Sequence, residues 1–178
     1  MKHIALLRAV NVGGQKVTSA ELKALFAAIG FKDAVTLLNS GNVVFTSTKR
    51  TGAALETYLA AEAKKRLGLD TDFMVRSAKE WRAIVDAHPF PKEARTDPAR
   101  LVVVMLTGAA DKKAVAALEA ANPGREVIRG HGTHLYIHYP DGQGESKLTV
   151  QLMLKHLGHR ATARNWNTVL KLLALAEK

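Results

Sequence analysis

The stretch Ala34-Val35-Thr36-Leu37-Leu38-Asn39-Ser40-Gly41-Asn42-Val43-Val44-Phe45-Thr46-Ser47-Thr48 decides the fold, because it places a hairpin directly after a helix. β-Branched and aromatic residues flank the Asn-Ser-Gly turn, which predicts strands over Ala34 to Leu38 and Asn42 to Thr48. Upstream, the apolar run His3 to Val10 predicts a buried strand, followed by the turn-rich segment Asn11 to Lys16. Thr18 and Glu21 then form a capping box, Leu22, Leu25, Phe26 and Ile29 recur at helical spacing, and Gly30 stops the helix. Downstream, a helix turns Leu55, Tyr58 and Leu59 inward and ends in Lys64, Lys65 and Arg66 before Gly68, where cations suit the helix dipole. A strand through Phe73, Met74 and Val75 completes the order strand, helix, strand, strand, helix, strand, the ferredoxin-like pattern.

The second half repeats that order. Strand Leu101 to Leu106, helix Asp111 to Ala121, strands Glu126 to Arg129 and His134 to Tyr139, a helix over Leu148 to Leu157 and an extended piece at Ala161 to Arg164 follow one another, with a terminal helix through Val169, Leu170, Leu173 and Leu175. No residue-level identity links the halves, so the repeat is one of topology. Between them, Ser77 and Glu80 cap a helix carrying Trp81, Ile84 and Val85. The stretch Pro89 to Pro98, with three of the five prolines, is the expected linker. The expectation is therefore an α+β chain of two ferredoxin-like halves in tandem, residues 1–76 and 99–178, joined by a helix and linker over 77–98 and closed by a C-terminal helix.

At 178 residues, with 47% hydrophobic and 24% charged residues, the chain has enough apolar surface for a sizeable core. It has no cysteine, which excludes disulfides, thiolate metal sites and cysteine nucleophiles and points to a reducing cytosol. No stretch resembles a signal peptide or spans a bilayer, so the expected location is cytoplasmic, away from membranes. The net charge of +10 is concentrated at the ends: residues 1–50 hold seven Lys/Arg against two acids and residues 125–178 eight against four, while residues 51–124 hold eleven against ten. Such a field favours phosphates and carboxylates as partners.

Three runs carry a resemblance: Ile4-Ala5-Leu6-Leu7-Arg8-Ala9-Val10-Asn11-Val12-Gly13-Gly14, the hairpin Asn39-Ser40-Gly41-Asn42-Val43-Val44-Phe45, and Thr162-Ala163-Arg164-Asn165-Trp166-Asn167-Thr168-Val169. Together they resemble the bacterial family catalogued as domain of unknown function 1697, over the whole chain. The resemblance implies two ferredoxin-like halves and brings no established activity. Its motif positions, Arg8, Asn11, Gly13, Gly14, Ser40, Gly41, Asn42, Arg164, Asn165 and Asn167, are carried over as candidate site residues.

Read for chemistry, the Asn11 to Lys16 loop leads into a helix N-terminus, whose N–H groups and dipole suit an anion, with Arg8 and Lys16 supplying charge. The loop is neither a Walker A loop nor a dinucleotide turn. Strand alternation puts Arg8 on the face of Ile4, Leu6 and Val10, where a guanidinium needs a partner, either a ligand anion or a protein carboxylate. In the closing motif, Asn165 or Asn167 caps the last helix, Trp166 belongs to the core, and Arg164 either binds an anion or clamps the helix to the body.

His134 and His138 stand too far apart along a strand to share an ion, and no His-Glu-x-x-His pattern exists, so neither a metal nor a cofactor is expected. Ser40 lies outside any nucleophile elbow. Two readings compete with a phosphorylated or nucleotide-like small ligand. One is a sequence-independent nucleic-acid module on the RNA-recognition scaffold, with Phe45 and Tyr136 as the available sheet aromatics. The other is an interaction domain without a ligand. For an enzyme, the shared fold suggests phosphate or acyl-phosphate chemistry of the acylphosphatase kind.

Overall fold

The computed structural model describes residues 1–11 and 14–178. The chain forms two compact units, Met1–Asp86 with Lys171–Lys178, and Ala87–Leu170. The first contains β1 (Lys2–Leu7), α1 (Ser19–Ala28), β2 (Val35–Thr36), β3 (Asn42–Thr46), α2 (Gly52–Leu67), β4 (Phe73–Ser77) and α3 (Ala78–Asp86). The second contains α4 (Pro91–Thr96), a 3-10 turn at Pro98–Arg100, β5 (Leu101–Leu106), α5 (Lys112–Ala121), β6 (Val127–His131), β7 (His134–His138), α6 (Val150–Leu157) and β8 (Ala161–Asn165). Helix α7 (Trp166–Ala176) begins in the second unit and ends in the first.

Each sheet is four-stranded and antiparallel, in the orders β2-β3-β1-β4 and β6-β7-β5-β8. The fold is thus α+β, with the βαββαβ order realised twice. Local chemistry starts the helices: the Thr18 hydroxyl accepts from the Glu21 N–H at 3.1 Å while the Glu21 carboxylate accepts from the Thr18 N–H at 2.8 Å, a complete capping box. Asp111 and Thr149 cap α5 and α6 through the side chain alone, accepting from the N–H groups of Lys113 and Leu152.

The core of the first unit forms where Ala5, Leu7, Val43, Phe45, Phe73 and Val75 meet Leu22, Leu25 and Phe26 of α1 and Leu55 and Leu59 of α2. Phe26 packs edge-on to Phe45 at 5.0 Å between ring centroids. In the second unit, Val102, Val104 and Leu106 meet Leu118 of α5 and Met153 of α6. The opposite faces are closed as well, since Ile4, Leu6, Val44, Met74, Val103, Met105 and Tyr136 are all buried. Both aromatics expected to offer stacking surface, Phe45 and Tyr136, are therefore inside, at 0% and 2% exposure.

Other expectations need correction. Strand β1 ends at Leu7 rather than Val10, because Ala9 and Asn11 take left-handed φ of 53° and 59°. The turn moves Val10 into the cluster of Ala5 and Leu7, so Val10 does not share the face of Ile4 and Leu6 as strand alternation predicts. Tyr58 is only half-buried and lies under the Arg50 guanidinium at 4.0 Å. Strand β2 shrinks to two residues at the sheet edge, since Leu38 turns to φ 60° and Asp33 caps Thr46 through its N–H and hydroxyl. The segment Pro89 to Pro98 carries a short helix of its own: Phe90 is buried and its carbonyl accepts from Ala94 N–H, starting α4 with Pro91 in its first turn. Helix α3 lies on β1 and β4 and belongs to the first unit.

One buried and one half-buried histidine make stability pH-dependent. Burial is the largest influence on His3, whose ring stacks on Phe45 at 5.8 Å; the nearby N-terminal ammonium also lowers its pKa, while the Met1 carbonyl and Glu80 oppose the shift. Burial likewise lowers His88. The fold thus favours neutral rings, whereas the unfolded chain takes up protons below its ordinary value of 6.5. Stability from these groups is complete above that value and falls as pH drops through it toward the folded pKa. Urea midpoints should be level from about pH 8 to 7 and decline from about 6.5 to 5, with a shallower decline in His3→Phe.

Candidate functional site

The loop after β1 is held from three sides. Arg8 Nε donates to Asp72 Oδ2 at 2.7 Å, Arg8 N–H donates to Asp72 O at 3.1 Å, and the Thr71 hydroxyl donates to Arg8 O at 2.5 Å. Gln15 and Asp70 exchange a second pair: Gln15 Nε2 donates to Asp70 O at 2.7 Å and Asp70 N–H donates to Gln15 Oε1 at 2.8 Å. The side chains of Arg8 and Asp72 are 31% and 26% exposed, so solvent screens the pair and it contributes about 1 kcal/mol.

Asn11 joins this loop to the hairpin turn. Its Nδ2 donates to Val17 O at 3.0 Å and Asn39 O at 2.6 Å, and its Oδ1 accepts from Val17 N–H at 3.0 Å. Both amide hydrogens and the oxygen are thus in use, at a φ of 59° that Asn tolerates better than most residues. Asn42, fully buried, donates to Leu37 O and Ser40 Oγ, both at 2.8 Å. Gly41 accepts from Leu7 N–H at 2.9 Å, and a Cβ at its φ of 72° would stand 2.8 Å from Leu7 Cβ and Val10 Cγ2. Glycine is required there for both reasons. Two runs read as separate motifs, around Arg8 and around Ser40, therefore form one interlocked body with Asp70, Thr71 and Asp72.

Lys16 is exposed in the same loop, Gly14 is exposed with open space about it, and Gly13 lies outside the described residues. The amides at the start of α1 face a carboxylate already: Glu21 sits in the first turn, its pKa held below the ordinary range by the backbone and hydroxyl of Thr18. The closing motif belongs to the second unit. Asn165, rather than Asn167, caps α7, its Oδ1 accepting from Thr168 N–H at 3.0 Å, while Asn167 is exposed. Trp166 is buried, its ring 4.6 Å from that of His88. Arg164 is 9% exposed and donates through Nη1 to Thr162 Oγ1 and Ala163 O at 2.8 Å each. Burial pulls its pKa down to about 10, so it stays charged at neutral pH.

Sequence reasoning missed Asp70, Thr71, Asp72 and Gln15. The signal was a polar triplet set directly before β4, whereas six of the eight other acids of the middle segment lie within helices.

A profile described as "Protein of unknown function (DUF1697)" matches residues 1–136. The chain belongs to the DUF1697 family. Among solved structures, the conserved bacterial protein SP0830 from Streptococcus pneumoniae is similar, with a TM-score of 0.73 at 23% identity, covering 99% of the DUF1697 chain and 98% of its own. That likeness establishes the shared fold. No curated protein is significantly similar. Among the described residues, no helix of this DUF1697 chain is long and apolar enough to cross a membrane.

If the loop of this DUF1697 protein is a staple, its parts differ in cost. Gly41→Ala should lose about 2–4 kcal/mol from left-handed strain plus overlap with Leu7 and Val10. Asn11→Ala should lose about 2–3 kcal/mol from stranded hydrogen-bond partners and strain. Gly14→Ala, with open space around it, should stay within about 0.5 kcal/mol. Urea denaturation of the three variants measures this ranking.

Proposed function

We propose that this protein binds an anionic ligand of the phosphorylated or nucleotide-like kind at the junction of β1 and α1, with Arg8 and Lys16 as its charged contacts. The observation that carries this reading is how Arg8 is held. Asp72 takes its Nε, and neither terminal guanidinium nitrogen donates a hydrogen bond among the described residues. A guanidinium oriented through one edge has already lost much of its rotamer freedom, and its outer N–H groups match two oxygens of a phosphate. Exposed Lys16 and the seven-to-two excess of cations in residues 1–50 support the same choice. With Glu21 in the first turn of α1, the contact rests on side chains more than on the helix dipole, so the affinity is modest and salt-sensitive.

The full use of the Asn11 carboxamide and of the Asn42 amide group as a donor favours a second reading, a structural staple with no ligand. A nucleic-acid module has less support, since burial of Phe45 and Tyr136 withholds base stacking and leaves only phosphate contacts. Calorimetry in low salt with inorganic phosphate and then nucleotides separates the three. Anion binding predicts saturable heat that Arg8→Lys and Lys16→Ala each weaken several-fold in folded protein. A staple predicts no heat and a lower unfolding midpoint in Arg8→Ala. A nucleic-acid module predicts retention of RNA that falls steeply with salt and surpasses nucleotide binding. Acyl-phosphate turnover, suggested by the shared fold, is tested by release of phosphate from acetyl phosphate in the parent and in Arg8→Lys.

A further inference from the structure

The second unit holds a cavity of about 270 Å³ between β8, α6 and the segment joining β7 to α6. Its apolar lining comes from Val104, Leu148, Met153, Ala161 and Ala163, with Tyr139 beside them. No lining residue is charged, in a chain where 24% of residues are. The lining itself offers a charged guest no counter-ion, so the cavity suits a neutral one.

The hydroxyls around it are spoken for, with one exception. Ser146 donates to Glu126 Oε1, Thr149 accepts from Leu152 N–H at 3.2 Å to cap α6, and Thr162 accepts from Arg164 Nη1 at 2.8 Å. Tyr139 is fully buried, and its hydroxyl has no hydrogen-bond partner among the described residues. Buried hydroxyls are normally satisfied, and an unsatisfied one calls for a missing partner. Burial, with the charge of Glu126 behind it, raises the pKa of Tyr139 further above its ordinary value, so the group keeps its proton and offers a donor.

We propose that this cavity binds a small uncharged molecule with an apolar body and one hydrogen-bond acceptor, such as a ketone, ester or amide carbonyl, which accepts from the Tyr139 hydroxyl. Alanines at 161 and 163 on β8 leave the room, and Met153 adapts its flexible side chain to the guest's body. The hydroxyl is closed off from solvent, and Gln143, Gly144 and Ser146 supply the wall beside it, so the carbonyl reaches the donor as this segment shifts outward.

The chain has four methionines, so protein carrying [¹³C-methyl]methionine reports on the cavity through one resolved signal, that of Met153. Titration with cyclohexanone should move the Met153 signal saturably and leave those of Met74 and Met105 in place. Methylenecyclohexane, of the same shape without the oxygen, should bind roughly tenfold more weakly to the parent protein, the loss expected for one hydrogen bond. Tyr139→Phe should bind both equally, and Ala163→Leu, which fills the cavity, should bind neither. No movement of Met153, equal affinity of the parent for the two probes, or binding that survives Ala163→Leu in folded protein each overturns the assignment. The two-probe comparison needs no variant, so it decides the matter even where Tyr139→Phe does not fold.

Discussion

The turn at Asn39 to Asn42 presses against the end of β1 so closely that residue 41 has no room for a side chain. Much of the first unit follows from that approach. It stops β1 at Leu7, bends the chain through left-handed Ala9 and Asn11, and carries Val10 back into the core beside Leu7. It also brings the Asn39 carbonyl within reach of Asn11, so the loop and hairpin share one set of hydrogen bonds. A side chain at position 41 would have to push Leu7 and Val10 outward, and the register of β1 against β3, where Leu6 stands opposite Asn42, begins at that point.

Most of the candidate motif residues in the first unit therefore serve the scaffold. Asn11, Gly41 and Asn42 have their polar groups or their space fully committed, and Arg8 is tied through backbone and side chain to Asp72. A loop held this firmly has few states to lose on meeting a ligand, so rigidity for the fold and preorganisation for binding coincide in Arg8. Charge acts in the opposite direction, because Asp72 and Glu21 offset part of the field that the cations of the first fifty residues create.

The second unit repeats the strand order without the same devices. Its closing motif puts Asn165 at the cap of α7 and buries Arg164 against Thr162 and the Ala163 carbonyl. Small residues on β8 leave its helix-facing side incompletely filled, whereas Phe26, Phe31 and Phe45 pack the first core with aromatic rings. One topology thus supports two different interiors, and the unsatisfied Tyr139 hydroxyl belongs to the looser of them.

The order of elements, the ferredoxin-like repeat, the helix cap at Thr18 and most core positions were legible along the chain, because each depends on residues a few positions apart. The helical character of Pro89 to Pro98 was hidden by its prolines, which suit a first helical turn as well as a linker. Tertiary structure alone decided the partner of Arg8, the two-fold use of Asn11 and the burial of Phe45 and Tyr136. The physical reason is range: caps and periodicities are set by neighbours within a turn or a strand, whereas Asp72 meets Arg8 across 64 positions, and that meeting exists only once the sheet has formed.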